Sequence, residues 1–221
     1  KAGGTAVSNT DGTITSQVSA NVDAGFSIVK YEGIGSTASI GHGLGVVPKL
    51  IIAKCLDITS SWVVYSETTG INKFIELNDS AAAYTASGYW GSSAPTTSVF
   101  EVKDGNANNN STGNNIIAYC FGSIPGYSKV GSYTGTGASG NFQYVGFEPA
   151  FVMIKSASSS GTAWNMWDNK RTPYDMLRAN TNDAEFAGPG RIQFFTNGFQ
   201  LLDADASRNS TGGNYIFLAI A

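Results

Sequence analysis

Charged residues are scarce in this chain of 221 residues, at 13% of the sequence, which is about half the usual share of a soluble domain. The 13 Lys and Arg against 16 Asp and Glu give a net charge of −3, and the basic residues do not cluster. Nucleic-acid binding is therefore not expected, because phosphates need such clusters. Long apolar runs are missing too. None approaches the roughly 18 residues of a spanning helix, so no membrane insertion is expected.

Histidine and cysteine are almost missing, with one His and two Cys. Nucleophilic catalysis of the Ser–His–Asp kind needs a histidine base, but His42 lies between two glycines, where we expect it to cap backbone groups of a loop. A zinc site is not expected either, because one His and two Cys at the ends of separate apolar runs provide too few ligands. Cys55 and Cys120 are predicted to be buried strand thiols, and a bridge between them is left open.

Glycine is plentiful instead, with 27 residues, beside many Ser, Thr and Asn. Short strand-like runs recur about every 8–12 residues between turn signals, and no stretch keeps a helical period. Residues 48–53 are almost wholly apolar, as in a strand buried on both faces. The pattern predicts an all-β protein.

An internal repeat organises the chain. Four blocks recur in one order and with similar spacing, which chance explains poorly. The paired blocks are residues 31–35 and 133–137, 45–54 and 146–155, 62–65 and 164–167, and 100–121 and 199–220. We therefore predict two tandem β-sandwich-like repeats of one unit, packed together, at residues 24–127 and 128–221.

The N-terminal residues 1–23 match neither copy. They are predicted to be a linker or a strand of a preceding module. The chain begins at Lys1 without Met or a signal peptide, which indicates an expressed fragment, a processed product or the C-terminal part of a longer protein.

Two segments carry a resemblance: Gly41-His42-Gly43-Leu44-Gly45, and Tyr127-Ser128-Lys129 at the junction of the copies. They resemble an uncharacterised tandem-repeat all-β domain of tail fibres and other virion appendage proteins of tailed phages, of the marine phage type. The resemblance covers nearly the whole chain and brings no catalytic motif. It implies an all-β fold, a place on the virion surface outside the cell, and a homotrimer.

From this resemblance we expect a phage virion structural protein, namely a tail-fibre or appendage module that binds a host cell-surface glycan or receptor. Its other expected partners are further virion proteins. The alternatives are a capsid decoration or assembly module without receptor binding, and a polysaccharide depolymerase, which would need paired carboxylates. Such acids cluster at Asp168, Asp175, Asp183 and Glu185. Acids in polar loops are usually solvated, so no enzyme activity is predicted.

The loops that the copies do not share, residues 84–97 and 171–190, are where we expect ligand contacts. The candidate ligand residues, chosen as rings beside polar groups, are Tyr89, Trp90, Trp167, Asp168 and Tyr174. Trp90 is predicted to be exposed. Trp164 and Trp167 are typical of core positions, but their spacing puts them on opposite strand faces, so at most one is expected to be fully buried.

Oxygen-bearing side chains alternate in the last long loop of both copies. In copy two they are Asp203, Asp205, Ser207 and Asn209, a spacing that suits calcium. The loop lacks the Gly at the sixth position and the closing Glu of an EF-hand, and such residues are also ordinary in hairpins. Calcium at these four residues and a plain hairpin loop are both kept as hypotheses, and no other cofactor is predicted.

Overall fold

The computed structural model describes residues 3–171, 175–188 and 191–221, and every regular element in these ranges is a β-strand. Within the same ranges, no helix has the length and apolarity that crossing a membrane would take. The described chain forms two compact units, the first of residues 3–77 and Ala83–Ile124, and the second of Asn78–Ala82 and Pro125–Ala221. The all-β prediction is confirmed.

Unit 1 pairs a large sheet with a small one around a single core. Its strands are β1 (Val7–Asn9), β2 (Ser16–Asn21), β3 (Phe26–Glu32), β4 (Ala38–Gly41), β5 (Leu50–Cys55), β6 (Val63–Ser66), β7 (Lys73–Glu76), β8 (Tyr84–Thr85), β9 (Val99–Val102) and β10 (Asn115–Phe121). The large sheet has the order β1-β2-β3-β10-β5-β6-β7-β8, and the small one pairs β4 with β9. Side chains from both sheets fill one hydrophobic cluster, which is the arrangement of a sandwich.

Unit 2 also consists of two sheets, with fewer strands than unit 1. They are β11 (Ser128–Thr134), β12 (Asn141–Tyr144), β13 (Phe151–Ser156), β14 (Asn165–Asp168), β15 (Leu177–Arg178), β16 (Ile192–Phe195), β17 (Gly198–Leu201) and β18 (Asn214–Ile220). The main sheet has the order β11-β18-β13-β14-β15, and the second sheet has the order β12-β17-β16. Its core lies between them.

The N-terminal residues belong to unit 1, which differs from the linker or foreign strand expected of residues 1–23. Strand β2 pairs with β3 along five positions, and Val18 is 3% exposed in the core. Farther back, the Ile14 amide donates to the Ser39 carbonyl at 3.0 Å. The buried apolar residues of this segment, Ile14 and Val18, thus form part of the core of unit 1.

The periodicity of the strands sets which side chains are buried. In β5 the residues Leu50 to Ala53 are all buried, which confirms a strand covered on both faces. In β10 burial alternates strictly. Cys55 and Cys120 are both buried and free, as expected of strand thiols. They are out of register, because Cys55 lies opposite Ile116.

A buried asparagine ties the last long loop of each unit to the segment after its first strand. Asn110 and Asn209 are fully buried, and each makes three equivalent bonds, with Oδ1 accepting from an amide and Nδ2 donating to two carbonyls. Those partners are Ile34, Ser36 and Lys103 for Asn110, and Thr136, Ala138 and Asp203 for Asn209. The sequence Asn-Ser-Thr-Gly, present at residues 110–113 and 209–212, therefore begins with an asparagine that makes equivalent bonds in both units.

A glycine two residues after the tyrosine of each first strand, Gly33 after Tyr31 and Gly135 after Tyr133, is required by close approach of the backbone. A Cβ on Gly33 would lie 2.4 Å from the Ser111 carbonyl oxygen, and one on Gly135 would lie 2.1 Å from that of Ser210. Both distances are far inside van der Waals contact, so no other residue fits without a backbone shift.

Candidate functional site

A cavity of about 240 Å³ opens in unit 2 where the end of β14 faces the edge strand β16. Its apolar lining comes from Trp167, Ile192 and Phe194. Its polar lining comes from Glu148, Asp168, Asn169, Arg171 and Gln193. The site thus combines a small apolar wall with amide, carboxylate and guanidinium groups, as ligand pockets commonly do.

An ion-pair network holds one side of this pocket. Arg171 donates from Nε to Asp168 Oδ2 at 2.7 Å and from Nη1 to Glu185 Oε1 at 2.8 Å. The other oxygen of Asp168 accepts the backbone amides of Lys170 and Arg171. Burial alone would raise the pKa of Asp168, but the bonds from Arg171 and these amides outweigh it and lower the pKa. Asp168 therefore stays ionised and fixed in place.

Two of the predicted ligand residues reach this pocket, Trp167 and Asp168, but Trp167 is 1% exposed and belongs to the core. Its indole Nε1–H has no hydrogen-bond partner among the described residues. Trp164 is also 1% exposed, so the expectation that at most one of this pair is fully buried was wrong. Side chains on both sides of the chain at β14 are covered. The spacing of the two tryptophans predicts only that they point to opposite sides, not whether each side is covered.

The predicted exposure of Trp90 was wrong. Its side chain is 2% exposed, and its ring meets Tyr65 edge-on with centroids 5.6 Å apart. The backbone of Trp90 bridges to Val102, which draws the unshared loop back onto the core of unit 1. Tyr89 is half-buried and stacks on Phe74 at 3.7 Å. The fifth candidate, Tyr174, lies outside the described residues.

The four calcium candidates lie in one loop of unit 2, but protein groups already use their oxygen atoms. Arg208 forms ion pairs with Asp203 and Asp205, and Ser207 donates its amide to Asp205 Oδ1 at 2.8 Å. Asn209 is the buried tie described above. Burial raises the pKa of Asp205, and its bonds to Ser207 and the charge of Arg208 more than offset this, so the pKa falls. The guanidinium supplies the positive charge here, and in the described parts of the chain no three His, Cys, Asp or Glu side chains gather as a metal group.

His42 has the capping role predicted for it. It is fully buried, its Nδ1 accepts the Leu44 amide at 3.2 Å, and its Nε2 lies 3.2 Å from the Thr96 carbonyl. These partners require the neutral Nε2–H form. Burial lowers the pKa of His42, which favours that form.

The outer face of the three-stranded sheet of unit 2 was not predicted from the sequence. Two cross-strand rows form it, Phe142–Gln200–Gln193 and Tyr144–Gly198–Phe195. Phe142 is 41% and Tyr144 62% exposed. Phe142 and Phe195 meet edge-on with centroids 5.7 Å apart. We call these two rows the aromatic face. The signal available in the sequence was the alternation of ring and amide in Asn141-Phe142-Gln143-Tyr144.

The architecture defines an all-β protein of two sandwich-like units, of which the second carries an open polar pocket and an exposed aromatic face. A family model described as a domain of unknown function (DUF7483) matches residues 1–221, and the chain belongs to that family. No curated protein and no solved structure matches the chain.

Proposed function

We propose that this protein is a glycan-binding module of a phage virion appendage. The observation that carries the binding proposal is the pocket of unit 2, where amide groups of Asn169 and Gln193 and the carboxylate of Glu148 surround the half-buried Phe194. Sugars offer hydroxyl groups to such donors and acceptors and C–H faces to an aromatic wall. The virion location and the homotrimer rest on the resemblance of the Gly41–Gly45 and Tyr127–Lys129 segments.

Preorganisation supports binding at this pocket. Arg171 is held by Asp168 and Glu185 at the same time, so its guanidinium does not need to be ordered when a ligand arrives. Groups fixed before binding lose less conformational entropy on association. The side of the pocket formed by Asp168 and Arg171 is therefore fixed before binding, which favours selection among sugars over loose adhesion.

Hydrolysis of the bound glycan has less support than binding. Glycosidases need one carboxyl group that carries a proton for the leaving oxygen. Asp168 accepts bonds from Arg171 and two backbone amides, which lowers its pKa. Its geometry suits a permanent acceptor. An ionised Asp168 could serve as the base or nucleophile but not as the proton donor, so the depolymerase alternative would need another acid, such as Glu148, to carry the proton.

Duplication of one ancestral unit is part of this proposal. Supporting it, strands β3, β10, β5, β6 and β7 of unit 1 follow the same spatial order as β11, β18, β13, β14 and β15 of unit 2. The buried asparagine ties recur as well. Under this proposal, the pocket is a specialisation of the second copy on a shared scaffold.

The pocket is tested by binding of the purified full chain to a glycan array and to whole host cells. The double variant Glu148→Ala/Asn169→Ala removes two exposed polar groups of the pocket and is expected to weaken binding about tenfold or more, because truncating central contacts costs more than about 1 kcal/mol each. Glu32→Ala, an exposed acid on β3 of unit 1, is the control and should bind as the parent does. Absence of adhesion by the parent chain, with regular attachment to a capsid lattice, would instead favour a decoration module.

A further inference from the structure

The aromatic face of unit 2 has a chemistry unlike the matching surface of unit 1. By strand register, Ser39 and Gly41 of β4 take the places of Phe142 and Tyr144 of β12. In unit 1 the N-terminal segment covers those places. The Thr13 amide donates to Ser39 Oγ at 3.0 Å, and Ser16 Oγ donates to the Gly41 carbonyl at 2.8 Å. Unit 2 presents large rings where unit 1 presents small residues under a cover.

The rings of the aromatic face are arranged as a shallow platform. Gly198 lies between Tyr144 and Phe195 in its row, and a Cβ on Gly198 would lie 2.8 Å from Cζ of Phe142. The Phe142 ring therefore rests over a position that has no side chain. Three strands at about 4.8 Å spacing make the platform roughly 10 Å wide. Gln193 and Gln200 add amide groups in the other row.

Charge on this platform is nearly absent. Neither row contains an ionisable group except the phenol of Tyr144. Among the described residues, Lys129 lies over this ring, with Nζ 5.7 Å from the Tyr144 ring centroid and 2.7 Å from the Tyr144 carbonyl oxygen. A neutral ligand that stacks on rings and exchanges hydrogen bonds with amides complements such a surface. An acidic polymer would find little positive charge on the two rows themselves, since neither contains a Lys, Arg or His.

The platform continues into the pocket. Gln193 lies on the outer face of β16 and also lines the pocket, while its neighbours Ile192 and Phe194 line the pocket from the other side of the same strand. Among the described residues β16 is an edge strand, so no further paired strand lies between the pocket and the aromatic face.

We propose that the aromatic face is a stacking surface for a neutral oligosaccharide, which runs from the pocket around the edge of β16 onto Phe142, Tyr144 and Phe195. This inference rests on the proposed glycan-binding function and extends it from one sugar to a chain. A second copy of the N-terminal segment is a poorer occupant. In unit 1 that segment needs Gly41, whose Cβ would lie 1.6 Å from Asn9 Oδ1, and Tyr144 stands at the equivalent place.

The test is affinity electrophoresis of the full chain in gels that contain dextran, mannan, laminarin or alginate. Retardation by at least one neutral polysaccharide is expected, with little or none by alginate. Phe142→Ala/Phe195→Ala should weaken that retardation about tenfold, since loss of contacts worth roughly 1.4 kcal/mol has that effect. Phe142→Tyr keeps a ring and should retain binding. Tyr127→Ala, an exposed tyrosine outside this sheet, is the matched control.

The outcomes separate the two proposals. If the parent chain and Phe142→Ala/Phe195→Ala are retarded equally while Glu148→Ala/Asn169→Ala is not retarded, the glycan pocket stands and the aromatic face is overturned. If no polysaccharide retards the parent chain, the stacking surface is overturned, whereas the pocket is judged separately by the glycan array and the host cells. Sedimentation of the same variants gives a third result: an oligomer that dissociates on loss of Phe142 and Phe195 identifies the face as a contact between copies and overturns the inference.

Discussion

Two buried side chains stand out at the scale of single residues: one carries a large ring, and the other carries an amine. Trp90 fills the core of unit 1 from a loop that the two units do not share, and Lys155 places an amine in a fully buried position of unit 2. Both residues affect stability directly, because large rings contribute much buried area and buried amines resist ionisation. Each gives a prediction at this scale.

Trp90→Ala is expected to destabilise unit 1 by about 3–5 kcal/mol, the usual cost of removing a large buried ring. The variant loses the edge-on contact with Tyr65 and leaves a cavity. Urea denaturation followed by circular dichroism measures this, and Tyr127→Ala, which removes an exposed ring, should change little. If Trp90→Ala left the stability unchanged and abolished glycan binding, Trp90 would be a ligand contact and not a core residue.

Lys155 predicts a pH dependence. Its Nζ donates to the Ser156 carbonyl and to Thr162 Oγ1, each at 3.0 Å. Burial lowers its pKa from 10.5 to about 8, with Asp79 acting in the opposite direction. Between these values the unfolded chain binds more protons than the folded one, so this lysine makes the free energy of unfolding rise with pH, by up to about 3 kcal/mol.

The rise is measured as the difference in unfolding free energy between the parent chain and Lys155→Met from pH 7 to 10.5, because tyrosine titration then cancels. Lys54→Met is the control for the loss of a lysine. In unit 1 the Lys54 Nζ donates to Ser60 in the loop after β5, as Lys155 donates to Thr162 in the loop after β13. A difference that stays flat across this range would show that Lys155 is not held in a desolvated position.

At the scale of elements, the strands followed from their periodicity and the exposed rings did not. The alternation of β10 and the apolar run of β5 set their burial, because side-chain direction along a strand is local. Exposure of Trp90 or Phe142 depends on which segment returns to cover it. The cover over β4 comes from residues about 25 positions away, and no local pattern encodes such a return.

The buried asparagine tie gives a prediction for the loop between β17 and β18. Asn209→Ala removes an acceptor for the Thr136 amide and donors to the carbonyls of Ala138 and Asp203. Buried polar groups left without partners cost about 1–3 kcal/mol each, so a loss of roughly 3 kcal/mol or more is expected in thermal and urea unfolding.

Two variants calibrate this result. Asn110→Ala, the equivalent tie in unit 1, should cost a similar amount, and Asn169→Ala at an exposed position should cost little. Near-neutral Asn209→Ala with a costly Asn110→Ala would mean that the loop of unit 2 is held by Arg208 and its aspartates instead.

Over the whole molecule, the scarcity of charged residues determines the character of the surface. Charged residues make up 13% of the sequence, and the net charge is −3. The described ion pairs act locally: Arg171 pairs with Asp168 at the pocket, and Arg208 pairs with Asp203 in the loop between β17 and β18. The polar surface is built mainly from amides and hydroxyls. Such a surface interacts through short-range hydrogen bonds and stacking, which salt screens weakly, whereas long-range attraction between charges is screened strongly.

Polysaccharide binding should therefore be nearly independent of salt. For the neutral polysaccharide that retards the parent chain, we expect affinity to change less than about twofold between about 0.05 M and 0.5 M NaCl, a range over which the Debye length shortens severalfold. Lys129→Gln, which removes the cation that lies over the Tyr144 ring, should leave this flat profile unchanged. A steep decline with salt that Lys129→Gln abolishes would contradict this prediction, because it would show that the charge of Lys129 contributes to binding.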